Sequence, residues 1–210
     1  TAATPAGVYH ITIDAANGQT PAASQVFTLT VETAPAITSA DNASFTAGTA
    51  TDFTIQTTGV PDAAITTADS LPTGVTLVDN GNGTATLAST AATPAGVYAI
   101  HLSASNGVSP AATQTFTLTV VGPPTITSAD NTTFTAGTAG SFIVQTTGGP
   151  FPAITTADTL PTGVTLVDNG DGTATLASTT DAAAGSYTIH IDASNGNSPN
   201  AAQTFTLTIS

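Results

Sequence analysis

The sequence predicts an all-β protein built from tandem β-sandwich domains. Three observations predict this class: apolar residues alternate with polar ones, turn signals separate the alternating segments, and the whole pattern recurs along the chain. Alternation with a period of two is typical of strands that bury one face in a core and leave the other in water. No segment carries the sustained 3.6-residue period of an amphipathic helix.

The alternating segments are short and closely spaced. They include FTIQTT from Phe53, VTLVD from Val75 and TATLAS from Thr84, and turn signals such as LPTG and NGNG lie between them. About seven such strands in one unit are typical of an immunoglobulin-like sandwich. Tyr98 and Tyr187 stand at the start of the penultimate strand, where a tyrosine corner would bond back across the sandwich.

The pattern repeats with a period of 89 residues. The segment LPTGVTLVDN starts at Leu71 and returns unchanged at Leu160, and YAIHLSASNG at Tyr98 has related copies at Tyr9 and Tyr187. A period this long indicates an array of domains rather than a solenoid of small units. We therefore predict the last two strands of one repeat followed by two complete repeats, at residues 1–33, 34–121 and 122–210.

The combined motif resembles a known family. PxITS…FTAGTAxxF…LPTGVTLxDNGxGTATL…GxYxIHxxASNG…QTFTLT is similar to the Ig-like tandem repeat domains, of the cadherin-like superfamily, in large bacterial surface and adhesin proteins. The resemblance covers both complete repeats and the partial one. It implies a sandwich fold and a spacer or adhesion role, without a shared active site.

Composition excludes several functions. The chain has no Lys or Arg and carries 13 acidic groups, for a formal charge of −13. Nucleic-acid binding depends on cations that displace counterions from phosphates, and attraction to anionic lipid needs the same cations, so neither partner is expected. The apolar runs are much shorter than the ~20 residues of a spanning helix, so we expect no membrane insertion of this segment. Absent cysteine excludes a disulfide scaffold.

The segment VDNGDGTATL, Val167–Leu176, suggests a calcium loop. Its candidate ligands are Asp168 and Asp171. An EF-hand loop that started at Asp168 would need oxygen ligands where Gly170 and Gly172 stand, so the match to that motif fails. The interpretation that remains open is a calcium ion bound jointly by ligands from this loop and from another domain. Otherwise the sequence predicts no metal and no cofactor.

A β-hairpin is the alternative for the same segment. Asn-Gly between alternating apolar strands is a strong hairpin signal, because a two-residue turn needs positive φ at both central positions. The earlier copy keeps Asn80 where Asn169 stands, and has Asn82 in place of Asp171. The turn is therefore the shared feature and the charge is dispensable.

The histidines and acids do not form a recognisable catalytic or metal site. His101 and His190 are equivalent and, with His10, face the solvent side of a predicted strand. Metal sites require several converging ligands. No GxSxG segment is present, and acids such as Asp52 are not kept, since Ser141 replaces it. We predict surface histidines and no enzymatic activity.

Two kinds of surface feature remain. Phe151 is the one phenylalanine without an aromatic counterpart, since Asp62 occupies the equivalent position. An exposed Phe151 would suit a contact with another domain or chain, or would fold onto its own loop. Asn42, Asn82 and Asn131 begin NxS/T triplets that match the N-glycosylation acceptor pattern.

The linkers favour a stiff array. Val31–Ala36 and Val120–Thr125 leave two or three residues free between repeats, and proline fixes the backbone of one or two of them. We therefore expect an extended rod that serves as the stalk or fibre segment of an extracellular, cell-surface protein. Its partners would be neighbouring repeats or other copies in a fibre.

Two other functions stay open at this level. One is an adhesin that binds glycan or protein through loops 59–64 and 148–153. The other is a self-assembling filament, because residues 1–33 hold only two strands and need further strands from preceding chain or from a neighbouring subunit.

Overall fold

The computed structural model describes residues 4–210, so residues 1–3 of the predicted unit 1–33 lie outside the described part. These residues form seventeen β-strands and no helix. The described chain accordingly contains no helix long and apolar enough to cross a membrane. The all-β prediction is confirmed.

The first two strands form a separate antiparallel hairpin. They are β1 (Gly7–Ala15) and β2 (Ala23–Val31), and Ile11 pairs with Phe27 near the middle of the ladder. No other strand of residues 4–210 belongs to this two-stranded sheet.

The next eight strands build a sandwich of two sheets. One sheet has the order β3-β5-β8-β7, and the other consists of β10 with β4 on one side and β9 and then β6 on the other. Only the β4–β10 pair is parallel among these. The strands are β3 (Thr33–Ile37), β4 (Asn42–Thr46), β5 (Thr51–Val60), β6 (Ala64–Thr67), β7 (Val75–Asp79), β8 (Thr84–Ser89), β9 (Gly96–Ser105) and β10 (Ala112–Ile126).

The last seven strands repeat this arrangement. The end of β10 begins one sheet, with the order β10-β12-β15-β14, and the facing sheet has the order β11-β17-β16-β13. β11 pairs with β17 in parallel, as β4 does with β10. The strands are β11 (Asn131–Phe134), β12 (Gly140–Gly149), β13 (Ala153–Thr155), β14 (Val164–Asp168), β15 (Thr173–Ser178), β16 (Gly185–Ser194) and β17 (Ala201–Ile209).

The alternating residues fill the space between the sheets. Phe116 is fully buried and its ring centroid lies 5.2 Å from that of Phe53 on the facing sheet. The second repeat reproduces this contact between Phe205 and Phe142 at 5.3 Å. Each core is thus a layer of aromatic and aliphatic side chains contributed by both sheets, as the period of two predicts.

The tyrosine corner is present in each copy. The Tyr98 hydroxyl donates to the carbonyl oxygen of Pro94 at 3.0 Å, and that of Tyr187 donates to Ala183 at 3.0 Å. The acceptor lies four residues upstream in the same segment rather than across the sandwich. The bond therefore fixes the loop that enters strands β9 and β16. Partial burial of its ring raises the pKa of Tyr98.

Candidate functional site

The contact between repeats is more ordered than the sequence predicts. We expected two or three free residues in each linker. Instead β10 runs without interruption from the first sandwich into the second, so the segment Val120–Thr125 is strand throughout. In the earlier linker only Glu32 separates β2 from β3. Pro123 and Pro124 are accommodated because each sheet pairs with a different part of β10.

An asparagine clamps each linker. Asn195, in the loop between β16 and β17, donates through Nδ2 to the carbonyl oxygens of Gly122 at 2.9 Å and Pro150 at 3.0 Å. Asn106 makes the same two bonds in the preceding repeat, to Thr33 and to Pro61, both at 2.8 Å. We call this two-bond arrangement, which occurs once at each joint, the Asn clamp. It ties the strand that enters a repeat to two loops of that repeat.

Two glycines let the chain approach closely at the second joint. Gly148 has φ of +135°, and a Cβ there would lie 3.0 Å from Cα of Pro124 and 3.1 Å from Nδ2 of Asn195. A Cβ on Gly149 would overlap the backbone carbonyl of Val120 and approach that of Gly96, both in the preceding repeat. Side chains are therefore excluded at these two positions of the joint.

Removal of the clamp should loosen the joint. Asn195→Ala is expected to destabilise the second repeat by about 1–2 kcal/mol, because two carbonyl oxygens lose a donor. Hydrogen exchange of the amides of residues 120–122, 125 and 126 should accelerate, since Pro123 and Pro124 have no N–H. Denaturant unfolding together with exchange mass spectrometry would measure both effects. Asn200→Ala is the matched control, since Ala111 occupies that position in the first repeat. Equal effects from the two variants would contradict the clamp.

The DNGDG segment forms a hairpin loop, but not the predicted two-residue turn. β14 ends at Asp168 and β15 begins at Thr173, so the loop is longer than two residues. Within this loop, positive φ occurs only at Gly170 and Gly172. Among residues 4–210, every residue with positive φ is a glycine. The expectation that Asn169 takes positive φ is wrong, because the glycines adopt the left-handed conformation without a Cβ penalty.

Both carboxylates of this segment accept hydrogen bonds from the turn, and Asp168 also accepts one from strand β13. The Oδ1 atom of Asp168 accepts from Gly170 N at 3.1 Å, and Oδ2 accepts from Ile154 N at 3.3 Å. Asp171 Oδ1 accepts from the hydroxyl and N–H of Thr173 at 2.6 and 3.0 Å, which lowers the pKa of Asp171. Asn82 accepts the same two bonds from Thr84. An amide thus serves this turn as well as a carboxylate.

No cation site is assembled within residues 4–210. In this part of the chain no three His, Asp or Glu side chains lie close enough to hold a metal ion together. The calcium ligands suggested at Asp168 and Asp171 stay a hypothesis that requires acidic groups from another domain.

The repeated histidines pair with aspartates that sequence analysis overlooked. His101 and His190 are exposed, but Nδ1 of each lies 3.1 and 3.0 Å from Oδ2 of Asp69 and Asp158. The same carboxylate oxygens accept the backbone N–H of the histidines at 2.6 Å. The signal was available, because Asp69 and Asp158 recur at the 89-residue spacing. The pair pins the loop after β6 or β13 to the neighbouring strand.

The aspartate–histidine pairs should make the unfolding free energy depend on pH. The backbone N–H of the histidine, with the imidazole, lowers the pKa of Asp69 and Asp158. A depressed native pKa gives stability that is present above the unfolded pKa and lost as pH falls through the native value. Asp69→Asn with Asp158→Asn should therefore be less stable than the parent near pH 7. The difference in unfolding free energy should shrink toward pH 2.

Denaturant titrations at several pH values measure that difference. Asp52→Asn is the control, since its exposed carboxylate is replaced by Ser141 in the next repeat. A gap that stays constant from pH 7 to pH 2 would show that the aspartate bonds contribute no pH-dependent stability.

The histidine pairs do not extend to a nucleophile. Among the hydrogen bonds of the described residues, none joins a serine or threonine hydroxyl to His101 or His190. His10 does bond, through Nδ1, to the Thr28 hydroxyl at 3.2 Å, but no carboxylate of the described chain orients it. A nucleophile, base and orienting acid are therefore not brought together in residues 4–210.

Phe151 packs partly against a neighbouring loop rather than its own. A Cβ on Gly172 would lie 3.1 Å from its ring, so the side chain rests on the turn between β14 and β15. Its exposed fraction is nevertheless 44%. Asp62 takes the same place beside Gly83 in the first repeat. Contact of the exposed ring with another domain or chain stays a prediction.

The three glycosylation candidates are all exposed. Asn42 and Asn131 begin the edge strands β4 and β11, and each donates through Nδ2 to the preceding aspartate at 2.8 Å. Asn82 lies in the loop between β7 and β8, and uses its oxygen for the turn. Accessibility allows modification at each position, and modification itself stays a prediction.

Comparison with known proteins identifies the fold. No protein-family model matches the chain, and no curated protein matches it in sequence. Titin Ig tandem domains are similar to it at a TM-score of 0.58 and 18% identity, over 86% of this chain and 98% of that chain. Dpr2 Ig1-Ig2 in complex with DIP-Theta Ig1-Ig3 is similar at 0.56 and 19%, over 98% and 73%.

A weaker likeness carries no inference. An endo-fucoidan hydrolase of glycoside hydrolase family 107 matches at a TM-score of 0.40 and 19% identity, over 80% of this chain and 27% of that chain. The two stronger likenesses show that the chain has the fold of tandem immunoglobulin-like domains, which confirms the predicted fold class.

Proposed function

We propose that this chain is a non-enzymatic stalk or fibre segment of an extracellular surface protein, in which each immunoglobulin-like repeat contributes length and resists pulling. The observation that carries the proposal is the parallel pairing of the first and last parts of each repeat. Asn42–Thr46 pairs with Thr117–Val121, and Asn131–Phe134 pairs with Thr206–Ile209.

The hydrogen bonds of this pairing lie across the direction of an applied load. The strand β4 follows the entry to the repeat, and β10 leaves it, so a pull on the two ends slides one strand along the other. All hydrogen bonds between them are then loaded together in shear. Bonds that flank the ladder, from Thr117 N to Asp41 O at 2.8 Å and from Ala47 N to Val121 O at 2.9 Å, extend it at both ends.

The joints support transfer of that load between repeats. The uninterrupted strand β10 and the Asn clamp leave no flexible linker at the second joint, and the first joint repeats the clamp. Such a connection favours an extended rod whose partners are neighbouring repeats, or other copies in a fibre.

Composition supports a location outside the cell. Without Lys or Arg, the chain offers trypsin-like proteases no primary cleavage site. Its exposed surface is kept in water by threonine hydroxyls and amides rather than by ion pairs. Calcium is not part of the proposal, because the joints are closed by hydrogen bonds between neutral groups.

Single-molecule pulling tests the proposal. The two complete repeats should unfold in two separate steps, each releasing about 30 nm of chain. Ala47→Pro removes a donor to Val121, and should lower the unfolding force of one step while the other step serves as the internal control. Both steps should be unchanged in EDTA. Unfolding without measurable resistance would refute a load-bearing stalk.

A further inference from the structure

Asparagine followed by glycine is a pair that can modify itself, and it occurs five times in the two complete repeats. Glycine has no side chain to keep its backbone nitrogen away from the asparagine amide. The nitrogen attacks Cγ, a five-membered imide forms, and Nδ2 leaves as ammonia. The hydrogen bonds around each pair decide how readily this happens. The five asparagines are Asn80, Asn82, Asn106, Asn169 and Asn195.

Four of these asparagines are held through Nδ2. Asn106 and Asn195 donate from Nδ2 to the carbonyl oxygens of the Asn clamp. Asn80 and Asn169 each donate to two threonine hydroxyls, at 2.9 and 3.3 Å. Addition to Cγ would turn the planar amide into a tetrahedral centre, and the two bonds at Nδ2 resist that movement. The glycine N–H after Asn80 or Asn169 is also engaged, because it donates to the aspartate that precedes the pair, at 3.3 and 3.1 Å.

Asn82 is bonded through its oxygen instead. Its Oδ1 accepts from the hydroxyl of Thr84 at 2.7 Å and from the N–H of Thr84 at 3.2 Å. These are its only side-chain hydrogen bonds within residues 4–210, so Nδ2 has no partner there. The N–H of Gly83 likewise donates to no group of the described chain. The attacking nitrogen and the leaving group are therefore free, while the carbonyl oxygen is held.

The two bonds to Oδ1 of Asn82 favour the reaction. Negative charge develops on that oxygen when the nitrogen of Gly83 adds to Cγ, and donors aimed at such an oxygen stabilise the transition state. The carbonyl oxygen of Gly83 accepts from the hydroxyl and the N–H of Thr57, at 2.7 and 3.0 Å. These bonds fix the backbone of Gly83 next to the amide, which reduces the entropy lost on ring closure.

The second repeat shows that the loop accepts the product. Asp171 occupies the position of Asn82, and its Oδ1 accepts the same two bonds from Thr173, at 2.6 and 3.0 Å. Conversion of the amide to a carboxylate would therefore keep the turn and give the first repeat the DNGDG sequence of the second. Isoaspartate, which inserts a methylene group into the backbone, would instead disturb the bond from Asn80 N to Thr84 O at 2.9 Å.

We propose that Asn82 is a self-modifying site that converts to aspartate through a cyclic imide, promoted by the hydroxyl and N–H of Thr84. The bond from Gly83 N to Cγ forms, the bond from Cγ to Nδ2 breaks, and the proton of Gly83 N leaves with Nδ2 as ammonia. Water then adds at Cγ, and the ring nitrogen takes back a proton. The same Nδ2 is the acceptor of the glycosylation triplet at Asn82, so the two modifications exclude each other. The proposal does not rest on the stalk function.

Asn80 is the internal control, because it is also exposed and also precedes a glycine. The full chain is produced in cells without N-glycosylation and incubated in mildly alkaline buffer, since the attacking nitrogen must lose its proton. Tandem mass spectrometry of chymotryptic peptides locates each conversion. Asn82 should convert at least about 10-fold faster than Asn80, the effect of about one hydrogen bond on the barrier.

A synthetic peptide of residues 75–89 provides the unfolded reference. It contains both asparagines without the rest of the sandwich, so the two should convert at similar rates. Equal rates in the folded chain would overturn the proposal. It would also be overturned if Asn82 of the folded chain stayed unchanged over the time in which the peptide converts.

Three variants separate the role of the donors from that of loop mobility. Thr84→Val keeps the side-chain shape but removes the hydroxyl, and should slow conversion at Asn82 by about 10-fold. Thr86→Val is the matched control, since Thr86 bonds to Asn80 and not to Asn82, whose rate should stay the same. Asp171→Asn should create a second converting site in the other repeat. Faster conversion at Asn82 in Thr84→Val, or no conversion in Asp171→Asn, would overturn the proposed role of the donors.

Discussion

Replacing Phe116 with alanine is expected to lower the unfolding free energy of the first complete repeat by about 3–5 kcal/mol. The ring is fully buried and contacts Phe53 on the facing sheet, with 5.2 Å between the centroids. Truncation removes transfer free energy and leaves a cavity that the surrounding strands cannot fill, because both neighbours of β10 hold it by hydrogen bonds. Denaturant unfolding measures the loss. The second repeat, with Phe205 intact, should unfold as before.

The same change one repeat earlier provides the control. Phe27 occupies the equivalent position in β2 but is 47% exposed, so Phe27→Ala should change the unfolding of either complete repeat by less than about 0.5 kcal/mol. One sequence position is thus compared in two settings, with and without a facing sheet. A cost at Phe27 equal to that at Phe116 would mean that the hairpin face is covered in solution.

The sequence was informative about the core because burial follows local alternation. The phenylalanine and isoleucine parity in QTFTLT and YAIHLS predicts which side chains face inward, and Phe116 and Ile100 are indeed buried. Pairing between distant strands is different. Asn42–Thr46 is too short to reveal a partner, and its parallel alignment with β10 depends on how the closed sandwich places the entry of the repeat beside its exit.

The joint was predicted less well for a related reason. Proline and glycine in Val120–Thr125 indicate a linker, but they do not reveal that strand pairing continues on both sides of it. The Asn clamp joins residues 73 apart along the chain. Its only sequence signal is the recurrence of Asn106 as Asn195, which is equally expected of a loop residue. Contacts of this range are fixed by packing rather than by local pattern.

The conformation of the hairpin loop was predicted wrongly because two turn geometries fit its sequence. The Asn-Gly pair predicted positive φ at Asn169, yet a second glycine two residues later offers a longer loop without strain on a residue that has a Cβ. The Asp69–His101 pair was missed although both residues recur. Parity correctly predicted that the histidine faces solvent, but parity alone does not identify a carboxylate 32 residues away.

Gly149→Val is expected to disrupt the second joint and to destabilise the second repeat by about 2–3 kcal/mol. Gly149 pairs with Gly122 in the ladder that joins β10 to β12. A Cβ there would overlap the backbone of Val120 and approach the carbonyl of Gly96 in the preceding repeat. Backbone atoms cannot move aside as a flexible side chain can, so the ends of the two repeats must separate.

Hydrogen exchange should detect that separation at the joint, and not in the core of either repeat. The amides of residues 122, 125 and 126 should exchange faster, while the amides around the tyrosine corners remain protected. Val60 is the natural control, because valine already occupies the equivalent position at the first joint. Val60→Gly should cost about 1 kcal/mol, from backbone entropy and lost side-chain contact, without faster exchange at the second joint. If Gly149→Val leaves exchange at residues 122–126 unchanged, the repeats are not in backbone contact there. The joint would then transmit load through β10 alone.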